Sequence, residues 1–344
     1  MQKISIVKGN ERKENIKKAI SLIEDDIEKA IQNKRGKSKM LFIKVNAIDI
    51  NFPLACTHPD ALEAVLGIFH NKFKEVIVGD NSFAFSQYGG EYYRQASSRF
   101  SNVRLSDLAE FESESIEFET LSGANEGRIS LLPRQAFSIS LALPKTHDTF
   151  VYTGCLKNMF GCVIKNRNGL HAMKLYERMI LNKYVQGNRM KWQNLINVIQ
   201  KTKPDLCILD AFEGMEGEGP IMGTGVKLGM AMCSTDGLAL DRIASRICGL
   251  EDAPYLKMLS EREGNPAHEN IKIIREGFND ISEISKRFKL HYNSKYQTKT
   301  KLNALMPLLD VRSGISLLRR SYRLKDKIKE MLAEKSRGRK RLFF

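Results

Sequence analysis

A strand, a helix and a second strand follow one another between residues 41 and 82, and this pattern constrains the fold more than any other. The first strand is LFIKVN, and the second is EVIVGDNS. Between them, Thr57 is predicted to be the N-cap of the helix, with Pro59 in its first turn. Parallel strands joined through a helix need a right-handed crossover. The sequence therefore predicts an α/β fold, with a mainly parallel sheet built from βαβ units and flanked by helices.

Apolar segments further along the chain are predicted to extend this sheet and to cover it. Their order along the chain is a helix at 11–33, strands at 136–145 and 205–212, a helix at 188–200, a strand VKLGMAMCST, a helix from Asp236 to Gly249 and a last strand at 271–277. Residues 104–135 form a mixed polar stretch with short strand-like pieces. We divide the chain into an N-terminal helical segment (1–40), an α/β core (41–290) whose two lobes would separate near 104–135, and a basic helical tail (291–344).

Positive charge is concentrated at the end of the chain. The net charge is +15, and residues 286–344 hold 18 Lys or Arg against 4 Asp or Glu. The segment 315–335 has the pattern of an amphipathic basic helix. Three interpretations stay open: a solvated appendage, a helix that contacts an anionic membrane surface or an acidic protein, and a segment that binds nucleic acid. Contacts with partners of these kinds are therefore predicted for the tail rather than for the rest of the chain.

The composition excludes several classes of protein. The sequence has no apolar run of about 18 residues that would span a membrane, and its N-terminus lacks the apolar region of a secretory signal. Its six cysteines are scattered and form no CxxC pair, so no iron–sulfur cluster is predicted from their spacing. Free thiols are the default for such cysteines in a reducing compartment. We expect a cytoplasmic protein, with association at a membrane surface as an option that the tail leaves open.

Residues 143–171 combine basic side chains with glycines directly after an apolar strand. Ammonium groups and exposed backbone N–H groups bind carboxylate and phosphate, so the segment predicts an anion site. Cys155 and Cys162 flank the lysine of this block, and a lowered thiol pKa beside Lys157 is one hypothesis for them. The residues that carry the prediction are Lys145, His147, Gly154, Lys157, Asn158 and His171.

Residues 210–225, DAFEGMEGEGPIMGTG, are acidic and rich in glycine. Carboxylates bind a divalent cation or move a proton, and glycines let the backbone approach a ligand closely. We interpret Asp210 and Glu213 as candidate metal ligands, Glu216 as a candidate proton carrier, and Gly217 and Gly219 as candidate contacts to a substrate. Asp241, in the following helix, is interpreted as a structural hydrogen-bonding group.

Taken together and in this order, the segments KVN, THP, GDNS, LPKTH, TGCLKNMFG and MEGEGPIMGTG resemble the uncharacterised domain of unknown function 362 family. The resemblance runs from about Phe42 to about Phe288. Many members of that family carry a ferredoxin-like cluster segment, which this sequence lacks, so a separate redox partner is one implication. A more distant likeness is to the nickel-pincer lactate racemases, although the THP segment here lacks their arginine. This likeness implies an isomerase or racemase type of proton transfer.

Two functions from different classes follow. The first is an enzyme that acts on a small anionic substrate in a cleft at the strand ends. Its catalytic residues would be His147, Lys157 and Glu216, its substrate would contact Lys145, Asn158, His171, Gly154, Gly217 and Gly219, and a divalent metal would bind Asp210 and Glu213. The second is a non-enzymatic ligand-binding or assembly protein whose basic tail docks to a membrane surface or to nucleic acid.

Overall fold

A computed structural model describes most of the first 291 residues. The ranges are 2–35, 38–82, 85, 90–120, 123–164, 186–251, 253–264 and 271–291. All of them fall within one compact unit, Met1–Thr298. His171 and the basic tail from residue 292 lie outside the described residues, so the predictions made for them stay predictions.

Thirteen strands occur in the described residues. They are β1 (Gln2–Lys8), β2 (Met40–Lys44), β3 (Glu75–Asp80), β4 (Val103–Asp107), β5 (Ser113–Thr120), β6 (Gly123–Ser130), β7 (Phe137–Ala142), β8 (Lys145–His147), β9 (Val151–Thr153), β10 (Val163–Ile164), β11 (Leu206–Glu216), β12 (Thr224–Ser234) and β13 (Ile271–Glu276). The main sheet has the strand order β13-β1-β12-β11-β7-β2-β3-β4, and β8 and β9 attach to it beside β11. The strands from β11 to β4 pair in parallel. The predicted mainly parallel α/β sheet is therefore confirmed.

Nine α-helices occur in the same ranges. They are α1 (Arg12–Ser21), α2 (Glu24–Arg35), α3 (Pro59–Phe69), α4 (Gly90–Ser97), α5 (Leu132–Gln135), α6 (Cys155–Asn158), α7 (Gln186–Thr202), α8 (Gly237–Ile247) and α9 (Pro254–Arg262). None of these helices combines the length and the apolar character that crossing a bilayer requires.

The main sheet is buried on both faces, because its strands alternate between two apolar clusters. In β11, Leu206 and Ile208 belong to the cluster formed with α1, α2 and α3, whereas Cys207 and Leu209 belong to the cluster formed with α7, α8 and α9. Parallel strands that are covered on both faces have continuous apolar sequences, rather than sequences in which apolar and polar residues alternate. This explains why LCIL was recognisable as a strand from the sequence.

The N-caps of two helices can be compared with those predicted from the sequence. Asp236 caps α8 as predicted, since its carboxylate accepts from the N–H groups of Leu238 and Ala239. The N-cap of α3 is His58 rather than Thr57. The Thr57 hydroxyl is used elsewhere, because it accepts from the N–H of Asn46 at 2.8 Å and donates to the carbonyl of Leu141 at 2.8 Å. It thereby links the ends of β2 and β7.

Two elements differ from the sequence predictions. Strand β1 precedes the predicted N-terminal helix and pairs in parallel with β13 and antiparallel with β12, which places the first residues inside the main sheet. The strand predicted to end at residue 212 continues to Glu216, and the acidic stretch 210–225 is largely a hairpin in which β11 and β12 pair from Cys207 and Ser234 to Glu216 and Thr224. Its glycines lie in strands or in the turn between them because the two strands pair along almost their whole length.

The mixed polar stretch at 104–135 contributes a small second sheet. This sheet has the strand order β10-β6-β5, and β5 and β6 form a hairpin. The side chain of Asn194 in α7 bonds both the N–H and the carbonyl of Glu119, at 2.9 and 2.8 Å. The amide of Asn194 thus pairs part of the outer edge of β5 as a neighbouring strand would.

Candidate functional site

The carboxyl ends of β2, β3, β4 and β7 meet at one edge of the main sheet. Charged or polar residues end or follow these strands, namely Lys44 in β2, Asp80 and Asn81 at the end of β3, Asp107 in β4, and Lys145 beyond β7. Ligands of open α/β sheets bind at this edge.

Lys44 and Asp80 form a buried ion pair at this edge. The Nζ of Lys44 lies 2.8 Å from Oδ1 of Asp80, and the two side chains are 1% and 7% exposed. Lys44 also donates to the carbonyl of Val45 at 2.7 Å, and Asp80 accepts from the N–H groups of Ala47 and Asn81. A buried pair is tolerated only when further hydrogen bonds satisfy its remaining donors and acceptors, as they do here.

Asn158 joins the predicted lysine block to the sheet. Its Nδ2 donates to the carbonyl of Lys44 at 2.9 Å and to Oγ of Ser140 at 3.1 Å, and its Oδ1 accepts from Lys44 Nζ at 3.3 Å. At Gly161 an added Cβ would lie 2.6 Å from Lys44 Nζ and would also overlap Asp80. The block therefore packs its backbone directly onto the ion pair, which only a glycine allows at that position.

Asp241 fixes the other end of the lysine block. From within α8 it accepts from the N–H groups of Cys155 and Leu156 at 2.9 and 2.8 Å, and Oη of Tyr152 lies 3.4 Å from it. Gly154 leaves room for this carboxylate, since a Cβ there would overlap it. Burial raises the pKa of Asp241 to about 7. The interpretation of Asp241 as a hydrogen-bonding group is confirmed.

Lys145 is the most deeply buried basic group of the predicted set. It is 1% exposed, and its Nζ donates to the carbonyl of Ala55 at 2.6 Å. Burial lowers the pKa of Lys145 to about 7, and the positive charges of Lys157 and Lys44 act in the same direction. Cys56 and Asp80 oppose this shift. Lys44 and Lys157 thus lie within the range at which their charges act on Lys145.

His147 and Lys157 lie beside Lys145. Burial lowers the pKa of His147 to about 4 despite its contact with Asp148, and both lysines add to the lowering. The Nδ1 of His147 lies 2.8 Å from Oδ1 of Asp148 and 3.1 Å from the N–H of Thr149. The Nζ of Lys157 lies 5.0 Å from the ring centre of Phe150, a cation–π distance. The structure therefore brings Lys145, His147, Lys157 and Asn158 together, as the sequence predicted.

The turn of the β11–β12 hairpin adjoins β8. Oγ1 of Thr146 donates to the carbonyl of Gly217 at 3.0 Å, and a Cβ at Gly219 would overlap the carbonyl of Thr146. Gly217 has a φ of +75°, a conformation that favours glycine. This contact brings the two predicted glycines next to the Lys145–His147 strand.

The carboxylates of this hairpin have protein partners. Asp210 pairs with Arg12 of α1 at 2.9 Å, and burial raises the pKa of Asp210 to about 6 although Arg12 lowers it. Glu216 accepts from the backbone N–H of Lys289 at 2.8 Å. Glu213 is exposed. In the described ranges, no group of three His, Cys, Asp or Glu side chains is placed to hold a metal ion. The metal site at Asp210 and Glu213 stays a prediction, which elemental analysis of the purified protein tests.

The six cysteines are all buried and free. Burial raises the pKa of Cys155 well above its usual value and that of Cys162 to about 12. The hypothesis of a lowered thiol pKa beside Lys157 is therefore wrong for both: at Cys155 every cause raises the pKa, and at Cys162 burial outweighs the positive charge of Lys44. Two residues of the site were not singled out from the sequence, namely Lys44 and Arg12. For Lys44 the available signal was a lysine inside the otherwise apolar LFIKV.

Fold and site together define an α/β protein with a cluster of buried charged groups at the carboxyl ends of its parallel strands. The sequence profile of the domain of unknown function family DUF362 matches residues 41–246, more than half of the chain, and the protein belongs to this family. The match includes Lys44, Asp80, Lys145, Lys157 and Asp241.

Two further similarities cover parts of the chain. A thylakoid-associated protein of Synechocystis is 32% identical over 123 residues, which are 36% of this chain and 36% of that protein. The chain thus matches about a third of the length of this curated relative. A crystal structure of a Thermotoga maritima protein aligns with a TM-score of 0.35 and 11% identity, over 69% of this chain and 59% of that one. Nothing further rests on that alignment.

Proposed function

We propose that this protein is an enzyme that binds a small carboxylate or phosphate at the carboxyl edge of its sheet. The single observation that supports this most is the buried Lys145, on which the charges of Lys44 and Lys157 act, while Lys44 itself lies against Gly161 of the lysine block. Cationic groups held close together repel one another, so their arrangement costs free energy that a bound anion would recover. Because Lys44 pairs with Asp80, the proposal assigns the anion's charge contact to Lys157 and a further substrate contact to Lys145.

Each predicted residue has a role in this proposal. Lys157 supplies charge to the anion, and Lys145, Asn158 and the backbone near Gly154, Gly217 and Gly219 contact the substrate. His147, whose pKa is lowered to about 4 by burial, is neutral near pH 7 and accepts a proton. Glu216, which ends β11 beside the hairpin turn, is the second proton carrier. Proton transfer of the isomerase or racemase type is the most specific form of the proposal.

Calorimetric titration with inorganic phosphate, pyruvate and lactate tests the proposed anion site. We expect one of these anions to bind the wild type and Lys157→Ala to weaken that binding at least about tenfold, which is about 1.4 kcal/mol. Lys203→Ala is the matched control. Lys203 precedes β11, at the opposite end of the parallel strands, and pairs with Glu263 at the surface. Equal affinities in the two variants, or no binding by the wild type, would contradict the proposal.

A second candidate function is association with an anionic surface through the basic tail. Two observations favour it: the charge of residues 286–344, and the similarity to the Synechocystis protein, which is thylakoid-associated. Deleting residues 295–344 should abolish sedimentation with vesicles that contain anionic lipid and leave binding of the small anion unchanged. Raised salt should weaken sedimentation of the full chain. Sedimentation that persists after the deletion would overturn this candidate, and salt-sensitive binding to RNA or DNA in place of vesicles would reassign the tail to nucleic acid.

A further inference from the structure

Lys145 is a fully buried lysine, at 1% exposure. In the described residues, its Nζ donates to one backbone carbonyl, that of Ala55. The carboxylate whose charge acts on it, Asp80, is already bonded to Lys44 and to two backbone N–H groups. A buried ammonium without a carboxylate partner is costly, so the environment favours the neutral amine.

The groups around Lys145 reinforce this preference. Lys44 and Lys157 place two positive charges near it. Cys56 would favour the ammonium only as a thiolate, and burial raises the pKa of Cys56 to about 11, so the thiol is neutral near pH 7. A lysine desolvated next to another cation is the usual arrangement for an amine that attacks carbonyl groups.

We infer that Lys145 is a nucleophile that forms an imine with the carbonyl carbon of an anionic carbonyl compound, a 2-oxo acid or an aldehyde that carries a carboxylate or phosphate. This inference rests on the proposed function, because Lys157 would hold the anionic group while the carbonyl faces Lys145. The nitrogen lone pair bonds to the carbonyl carbon, both protons of the amine leave with the carbonyl oxygen as water, and a carbon–nitrogen double bond remains. The step needs no oxidant or reductant.

Access to the amine depends on the turn that covers it. Since Lys145 is 1% exposed, the single turn of 3-10 helix Pro53–Ala55 has to move away before a carbonyl reaches Nζ. In exchange, the substrate would occupy the position of the Ala55 carbonyl. The exposed side chain of Phe52, at 40%, precedes this turn.

Reductive trapping tests the inference on the full-length protein. The wild type is incubated with pyruvate and cyanoborohydride, which reduces an imine to a stable secondary amine, and the modified lysines are then located by peptide mass mapping. We expect at least about tenfold more adduct on Lys145 than on Lys203, because the neutral fraction of an amine with a pKa near 7 is roughly a thousandfold larger at neutral pH. Acetone, which has no anionic group, should label Lys145 more slowly.

The outcomes separate the two proposals. Pyruvate that binds by calorimetry without an adduct on Lys145, or adducts spread evenly over surface lysines, would overturn the inference and leave the anion site standing. Absence of both binding and adduct would overturn both. Lys145→Met should abolish the adduct, because it removes the amine that would form the imine. If that variant does not fold, the peptide map of the wild type alone decides whether Lys145 carries the adduct.

Discussion

At the scale of single residues, burial sets the chemistry of this site more than neighbouring charge does. Burial is the largest cause of the lowered pKa of Lys145 and His147 and of the raised pKa of Asp210 and Asp241. Lysine and histidine shift downward and carboxyl groups upward, as desolvation of the charged form requires. Shifts of this kind at a strand-end site are typical of functional groups, although structural pairs produce them too.

The shifted pKa of Lys145 predicts how stability depends on pH. Its pKa is about 7 in the folded protein and 10.5 as an ordinary lysine, so between these values the unfolded chain binds more protons. This lysine therefore contributes a free energy of unfolding that rises with pH from about 7 towards 10.5, by at most about 1.4 kcal/mol per pH unit. Denaturant unfolding near pH 7 and near pH 9 measures it.

Lys145→Met provides the comparison for that measurement. Other groups titrate in the same range in both proteins, so the informative quantity is the difference between wild type and variant. We expect the wild type to gain stability relative to the variant as the pH rises. A difference that is independent of pH would mean that Lys145 keeps its ordinary pKa in the fold, and it would also weaken the case for a neutral amine.

At the scale of elements, the site depends on contacts between helices as much as on the sheet. The short helix α6, which carries Lys157 and Asn158, is bound at its N-terminus by Asp241 of α8 and at its C-terminus by the contacts of Asn158 with β2. A four-residue helix has little stability of its own, so these two contacts decide where Lys157 lies.

Asp241→Ala should therefore reduce both stability and anion binding. It leaves the N–H groups of Cys155 and Leu156 without their acceptor, for which we expect a loss of about 1–3 kcal/mol, offset in part because a buried carboxylate is also removed. Asp236→Ala, in the cap of the same helix α8, is the control and should cost about 1 kcal/mol. Denaturant unfolding and calorimetric titration with phosphate measure the two effects. If both variants bind phosphate equally, Asp241 does not position the lysine block.

At the scale of the whole molecule, the sequence predicted the parallel half of the sheet well and the rest less well. β2, β3, β7 and β11 are continuous apolar runs, and such runs are recognisable without knowledge of their partners. β1 was missed because seven residues with charged ends give a weak local signal, and its place is fixed by strands more than 220 positions away. The partners of Asp210 and Glu216 were missed for the same reason, since Arg12 and Lys289 are remote in sequence.

The sequence predicted which segment carries the candidate site, but not which residues from other strands contact that segment. The lysine block was recognisable from its basic residues and its glycines, and Lys145, His147, Lys157 and Asn158 do lie together. The ion pair of Lys44 with Asp80 was not predicted, because the βαβ pattern predicts that the two strands are parallel but not which side chains meet at their ends.

The pairing of β1 with β12 and β13 has a consequence for folding during synthesis. Lys8 pairs with Met230 of β12 and Gln2 with Ile271 of β13, so a nascent chain that has already extended its first strand holds it without either neighbouring strand while roughly 220 further residues are added. At ordinary rates of synthesis this wait is on the order of tens of seconds. During that time Ile4 and Ile6, which are fully buried in the finished protein, are open to other contacts. We therefore expect the N-terminal strand to be open to non-native contacts during synthesis until β12 is available to pair with it.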